Sequence, residues 1–154
     1  MAEAIALVAS IVAVIQVTDR LSSLCKSYIG GVVDYPKDLR EILLETSSLK
    51  TLFENLQFLN EKDGGASTLF TSMGGEDGPI ERCRRTTSEL EQLFPPEQLS
   101  TNRKRKRNQK FRPSLAGLAW PFKKEKARAL LTQLASHKAS ISLAISADTL
   151  YVVL

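Results

Sequence analysis

The sequence predicts an all-α fold of four helices, and three observations carry that reading. Apolar residues recur at spacings of three and four along most of the chain, and no segment alternates with period two for long enough to mark a strand. Clusters of glycine and proline cut the chain into four long periodic pieces. With 154 residues, 43% of them hydrophobic, the chain is sized for one domain that buries a continuous core without metal or disulfide staples. The expected architecture is a four-helix-bundle-like single domain with mobile loops. Its helices are expected at about residues 2–29, 36–59, 79–94 and 121–152, and its loops at 60–78 and 95–118.

The first helix opens with "MAEAIALVASIVAVIQV", which has no charge between Glu3 and Asp19. A secretory signal would begin with a positive region, and Glu3 stands in its place. The apolar run from Ala4 to Val17 rises about 21 Å as a helix, short of the ~30 Å hydrocarbon core of a bilayer. The run therefore reads as a helix packed centrally in a bundle, where apolar residues are tolerated on every side. Leu21, Leu24, Cys25 and Tyr28 continue its apolar spacing, and Gly30-Gly31 closes it, because glycine takes the left-handed conformation that ends helices.

Asp34-Tyr35-Pro36 starts the second helix, with proline in a first turn where its missing N–H is not needed. Leu39, Ile42, Thr46, Leu49, Phe53 and Leu56 alternate steps of three and four and form its packing seam, widened by Leu43, Leu52 and Leu59. The stretch "NEKDGGASTLFTSMGGEDG" holds five glycines and no sustained period, so it reads as a loop that Leu69, Phe70 and Met73 tack down. The third helix starts near Pro79, places Ile80, Cys83, Thr87, Leu90 and Phe94 on one side, and must stop at Pro95-Pro96. The fourth begins after "SLAGLAWPF", with Leu130, Leu131, Leu134, Ile141, Ala144, Ile145 and Val152 as its stripe. Its first turns carry Lys123, Lys124, Lys126 and Arg128, an unfavourable placement against the helix dipole that calls for another purpose. Trp120 and Phe122 fit either interfacial anchors at a lipid boundary or packing residues that hold the Pro121 junction, and packing is the preferred reading.

The charge is concentrated. The chain carries a formal +4, yet Arg103, Lys104, Arg105, Lys106, Arg107, Lys110 and Arg112 place seven positive charges within ten residues, so the remainder is net acidic. The segment around them is polar, and nothing in it forms a packed face. Three meanings stay open for it: a solvated loop, an anionic-lipid site formed by Arg103, Lys104, Arg105, Lys106, Arg107 and Lys110, or a nuclear-import or nucleic-acid segment. The last is disfavoured by the absence of aromatic residues interleaved with the charges to stack on bases.

Enzyme motifs are missing from the sequence: there is no GxxxxGK[ST], HExxH or GxSxG. His137 is the single histidine and falls in a helical pattern as a boundary residue. Glu41, Glu45 and Glu54 read as solvated carboxylates, and Cys25 and Cys83 as reduced helical thiols without metal-ligand spacing. No catalytic, cofactor-binding or metal-binding residue is expected.

The stretches "MAEAIALVASIVAVIQV", "DYPKDLREILLETSSLKTLFENL" and "LAWPFKKEKARALLTQLASHKASISLAIS" together resemble the HeLo-like N-terminal domains of fungal NOD-like receptors and ankyrin-repeat proteins. The resemblance spans nearly the whole chain apart from its two variable loops. Its most specific element is Trp120-Pro121-Phe122 followed by a Lys/Glu-rich turn and "LxxLxxHKxxIxLAI". It implies a helical bundle that acts in programmed cell death, in heterokaryon incompatibility and innate immunity, when a receptor oligomerises it. The implied partners are a NACHT or repeat module in cis or trans, further copies of the chain, and anionic membrane lipids. The implied localisation is cytoplasmic at rest and the plasma membrane when activated, with the nucleus an option raised by the basic cluster. No P-loop or repeat region occurs here, so the sequence reads as a fragment or as a domain triggered by another polypeptide, and "LYVVL" reads as a helix with a continuation. The basic cluster matches no motif of the family.

Two functions follow. In the first, oligomerisation exposes and inserts the apolar helix through Ile5, Leu7, Val8, Ile11, Val12, Val14 and Ile15, while the basic loop holds the anionic surface. In the second, the domain is a non-enzymatic adaptor that transmits assembly through helix contacts and never touches a membrane. Exposure of the first turns of the opening helix favours the first function; full coverage favours the second.

Overall fold

The computed structural model describes residues 2–30, 37–63, 73–94 and 120–153. The regular structure of the described residues is helical: α1 (Ala2–Gly30), α2 (Lys37–Asp63), α3 (Pro79–Gln92) and α4 (Trp120–Val153), with no strand among the described residues. The basic cluster from Arg103 to Arg112, the tacking residues Leu69 and Phe70, and the side chains of Trp120, Phe122 and Val152 lie outside the described residues.

Side-chain ties between helices set directions and neighbours. Lys50 meets Asp19 at 2.6 Å, and Ser22 shares a 3.5 Å hydrogen bond with Thr46, so α1 and α2 run antiparallel. Ser10 donates to Glu81 at 3.4 Å and Arg20 to Glu91 at 3.0 Å, the same offset twice, so α1 and α3 run parallel. Arg128 donates to Asp38 at 2.9 Å and Lys138 to Ser48 at 3.2 Å, again at one offset, so α2 and α4 run parallel. Lys123, in the first turn of α4, donates to the carbonyl of Leu93 just past the end of α3 at 2.6 Å, which makes that pair antiparallel. The helices therefore alternate in direction along the chain, yet α1 packs chiefly on α2 and α3 and α4 on the other sides of those two.

The packing seams match the spacing of the sequence. Leu39, Ile42, Thr46, Leu49, Phe53 and Leu56 are all buried, with Leu43, Leu52 and Leu59 half-buried beside them. Leu21, Leu24, Cys25 and Tyr28 of α1 join that core, as do Ile80, Cys83, Thr87 and Leu90 of α3 and Leu130, Leu134 and Ile141 of α4. Thr46 and Thr87 are tolerated there because each hydroxyl donates to its own helix, to the carbonyls of Ile42 and Cys83, both at 2.8 Å. Tyr28 stacks obliquely on Phe94, with ring centroids 5.7 Å apart.

Two helix ends differ from the sequence expectation. The second helix does not stop at residue 59 but runs to Asp63, and Lys62 of its last turn lies over the Phe58 ring at 5.6 Å, a contact between neighbours on one helical face. The third stops at Gln92, because the N–H groups of Leu93 and Phe94 bond back to Leu90 and Glu91 at 3.1 Å in tighter turns, leaving both side chains buried.

A short turn before α3 fixes where that helix begins. Gly75 adopts φ of +121°, a conformation open to glycine, and the Gly78 N–H closes the turn on the Gly75 carbonyl at 3.2 Å. Gly78 is held by space: a Cβ there would lie 2.2 Å from the Met73 carbonyl oxygen. Arg85 clamps the turn by donating to the Glu76 carbonyl at 2.5 Å, and Met73 is buried, the anchor expected of it. Pro79 then occupies the first turn of α3.

The charged first turns of α4 also find their purpose. Lys123 caps the end of α3, and Arg128 pairs with the largely buried Asp38 at the start of α2. Both tie α4 to a neighbour at the cost of a poor placement on their own helix dipole.

Candidate functional site: the outer face of the first helix

The expectation that α1 lies at the centre of the bundle is corrected. Its core side carries Ile11, Val14, Val17, Leu21, Leu24 and Tyr28, but its opposite side faces solvent. Positions 5, 8, 12, 16, 19, 23 and 26 fall on one line of the helix, and all are exposed except Val12, which is half-buried. Along this line Ile5, Val8 and Val12 are apolar, and Gln16, Asp19, Ser23 and Lys26 are polar. The outer side of the first half of α1 is thus as apolar as its inner side, and uncovered.

The seven residues expected to insert are divided by this geometry. Ile11 and Val14 are core residues, 1% and 0% exposed. Leu7 and Ile15 are half-buried and pack against the core, and Val12 is half-buried. Ile5 and Val8 stand out, at 72% and 39% exposed. The first turns of the helix project because α3 starts late. Ser10 faces Glu81 in the first turn of α3, so α1 before Val8 runs past the end of that neighbour.

Ile5–Ile29, 25 residues, is long and apolar enough to cross a membrane by length and composition, and an 18-residue window within it has a mean hydropathy of 1.6. At about 1.5 Å per residue the whole stretch reaches roughly 37 Å, more than the ~30 Å hydrocarbon core, whereas the uncharged run taken alone falls short. Of the residues in that window 28% are buried, so the helix is not sheathed on all sides.

The other chemistry in the described residues is quiet. Burial pushes both thiols, Cys25 and Cys83, up to about 12, and neither is in a disulfide. The parallel register of α1 and α3 sets them about thirteen residues, or ~20 Å, apart along the bundle, far beyond bridging distance. Burial, with Arg82 and Arg85 nearby, holds His137 below its ordinary value. The Arg84 guanidinium beside Glu81 holds that carboxyl below its ordinary value. Among the described residues no three histidine, cysteine or acidic side chains gather where a metal ion could sit. Glu41 and Glu54 are exposed as expected, but Glu45 is half-buried against Lys138, with 2.6 Å between the charged groups, and belongs to the α2–α4 contact.

Sequence reasoning passed over Leu44 and Phe58, which are 61% and 60% exposed on the outer side of α2. The available signal was position: both lie off the 39–42–46–49–53–56 seam, on the far side of the helix and two heptads apart.

Comparison with known proteins found no matching family model, no matching curated protein and no matching solved structure. Among the described residues, fold and site together define an all-α bundle of four helices whose first helix presents an uncovered apolar face.

Proposed function

We propose that the chain is a non-enzymatic effector domain of the HeLo-like kind, which permeabilises membranes in programmed cell death when a receptor module brings several copies together. The observation that carries this reading is α1 itself, a helix of membrane-spanning length and apolarity on which Ile5 and Val8 are exposed. Insertion withdraws Ile11 and Val14 from the bundle, so it costs core packing, and raising the local concentration of copies offsets that cost. Arg103 to Lys110 supply attraction to anionic lipid, at about 1 kcal/mol for each cation close to the surface.

Dye release from vesicles with and without acidic lipid tests the proposal, using protein fused to an inducible oligomeriser. Release that needs acidic lipid, and that falls when Val8 is changed to Glu in a protein that remains folded, is the expected result. Val8→Glu is the informative variant because Val8 is exposed, whereas Ile11→Glu would unfold the bundle and report nothing about membranes. No release from oligomerised, folded wild type would leave the adaptor function in its place.

A further inference from the structure

Five large apolar side chains are conspicuously exposed on the described surface, and four of them, Ile5, Val8, Leu44 and Phe58, belong to α1 and α2. On α2 the positions 40, 44, 51, 55, 58 and 62 fall on one line, and all six are exposed. Read along that line, Arg40 and Leu44 are followed by Thr51 and Asn55, then by Phe58 and Lys62. A cation therefore stands outside an apolar side chain at each end, with small polar groups between. The matching line of α1 begins with Ile5 and Val8 and ends with Lys26. The two lines flank one seam, since Lys50 reaches across it to Asp19 of α1 at 2.6 Å while lying 3.8 Å from Glu54 of its own helix.

The charges on this face are not balanced at its ends. Asp19 and Glu54 share Lys50 near the middle, and Glu41 lies 3.8 Å from Lys37. Lys26, Arg40 and Lys62 enter no ion pair among the described side chains, and on these two helices Glu61 is the one described carboxylate left unpaired. Three free cations bordering isolated apolar side chains is the pattern that suits an anionic lipid surface, where apolar groups enter the headgroup boundary and ammonium groups stay with the phosphates. Lys62 over the Phe58 ring is such a pair already assembled.

The spacing also argues against a protein partner. Leu44 and Phe58 are fourteen residues, about 21 Å, apart, with Ser47, Ser48, Thr51 and Asn55 between them. A protein interface gains from a contiguous, tightly packed apolar centre, which this face lacks. A fluid lipid boundary takes each side chain independently and needs no continuity.

We propose that the intact, resting bundle docks on anionic bilayers sideways, through the outer face of the α1–α2 pair, with Leu44, Phe58, Ile5 and Val8 entering the headgroup region and Lys26, Arg40 and Lys62 contacting lipid phosphates. This inference rests on the membrane reading above and adds to it a docked state that precedes any release of α1.

Co-sedimentation of the full chain, without an oligomeriser, on phosphatidylcholine vesicles with and without phosphatidylserine is the test. The double variant Leu44→Ser, Phe58→Ser should bind acidic vesicles more than tenfold more weakly, as loss of two partly inserted apolar groups implies. Arg40→Gln with Lys62→Gln should cost roughly tenfold or more, on acidic vesicles alone. Leu143→Ser, equally exposed on α4, is the control and should bind as wild type. All substituted positions are exposed, so thermal unfolding should be unchanged. Wild-type binding that survives the double variant, or that is lost with Leu143→Ser, overturns the docking face. So does a lipid-free sedimentation coefficient that drops in the double variant, which would assign the face to a contact between copies, and so does a wild type that binds no vesicle. Docking with no dye release from the oligomerised protein would instead remove the effector reading while this face stood.

Discussion

Ile5 and Val8 are chemically interchangeable with Ile11 and Val14, and they belong to the same uncharged run, yet the first pair meets water and the second is the inside of the bundle. Two features separate them. Ile11 and Val14 fall on the side of α1 that faces its neighbours, and they lie beyond the point where α3 begins, near Ser10. Hydrophobicity says that a residue gains from leaving water. Which residues are able to leave is decided by where partner helices start and stop.

Substituting one member of each pair should break the comparison most sharply. Ile11→Glu buries a carboxylate with no cation placed to meet it and should cost on the order of 4 kcal/mol or more, enough to unfold a domain of ordinary stability. Val8→Glu should stay within about 1 kcal/mol of wild type. Chemical denaturation reads both, and equal costs at the two positions would refute the division of the helix.

Gly78→Ala is the next largest. Its methyl would press on the Met73 carbonyl, so the turn must shift and the start of α3 with it, at about 2 kcal/mol. The same shift should raise hydrogen exchange at the amides of α1 around Ser10. Unchanged exchange there would mean that α3 does not set the limit of coverage.

Thiol chemistry reports the covered half of α1. With its proton held to about 12 by burial, Cys25 should resist a water-soluble disulfide reagent at pH 8 until the protein is unfolded, and a Val8→Cys variant should react at once. Above the ordinary thiol value of 9.0 the unfolded chain loses protons that the folded chain keeps at Cys25 and Cys83, so stability should fall progressively between about pH 9 and 12. A Cys25→Ala, Cys83→Ala protein with the same alkaline slope would contradict this. The smallest effect is expected from Ser10→Ala, whose 3.4 Å hydrogen bond to Glu81 should contribute about 0.5 kcal/mol.

Much of the fold was legible because helical periodicity is a local property. The α2 seam at 39, 42, 46, 49, 53 and 56 and the α3 side at 80, 83, 87 and 90 are buried as their spacing requires. Helix ends were less legible, since the seam of α2 ends at Leu56 and Leu59 while its backbone continues to Asp63. For the site, the apolar helix was found from composition, but its exposure was not. An apolar run looks the same whether three neighbours surround it or two, and the difference here is that α4 packs on α2 and α3 rather than on α1. Leu44 and Phe58 stand on a polar face where single apolar residues are ordinary, and they gain meaning beside the equally uncovered Ile5 and Val8.

By itself the sequence determined the four helices of the described residues, the inward sides of α2 and α3, and that one helix is apolar enough for a membrane. These follow from spacing, chain-breaking residues and side-chain polarity, all carried by neighbours along the chain. Tertiary structure alone decided that α1 has only two principal neighbours, that its first turns outrun α3, and that Lys123 and Arg128 serve other helices rather than their own. These depend on register between segments 24 to 90 residues apart, set by the summed packing of the whole core and encoded in no single stretch of the chain.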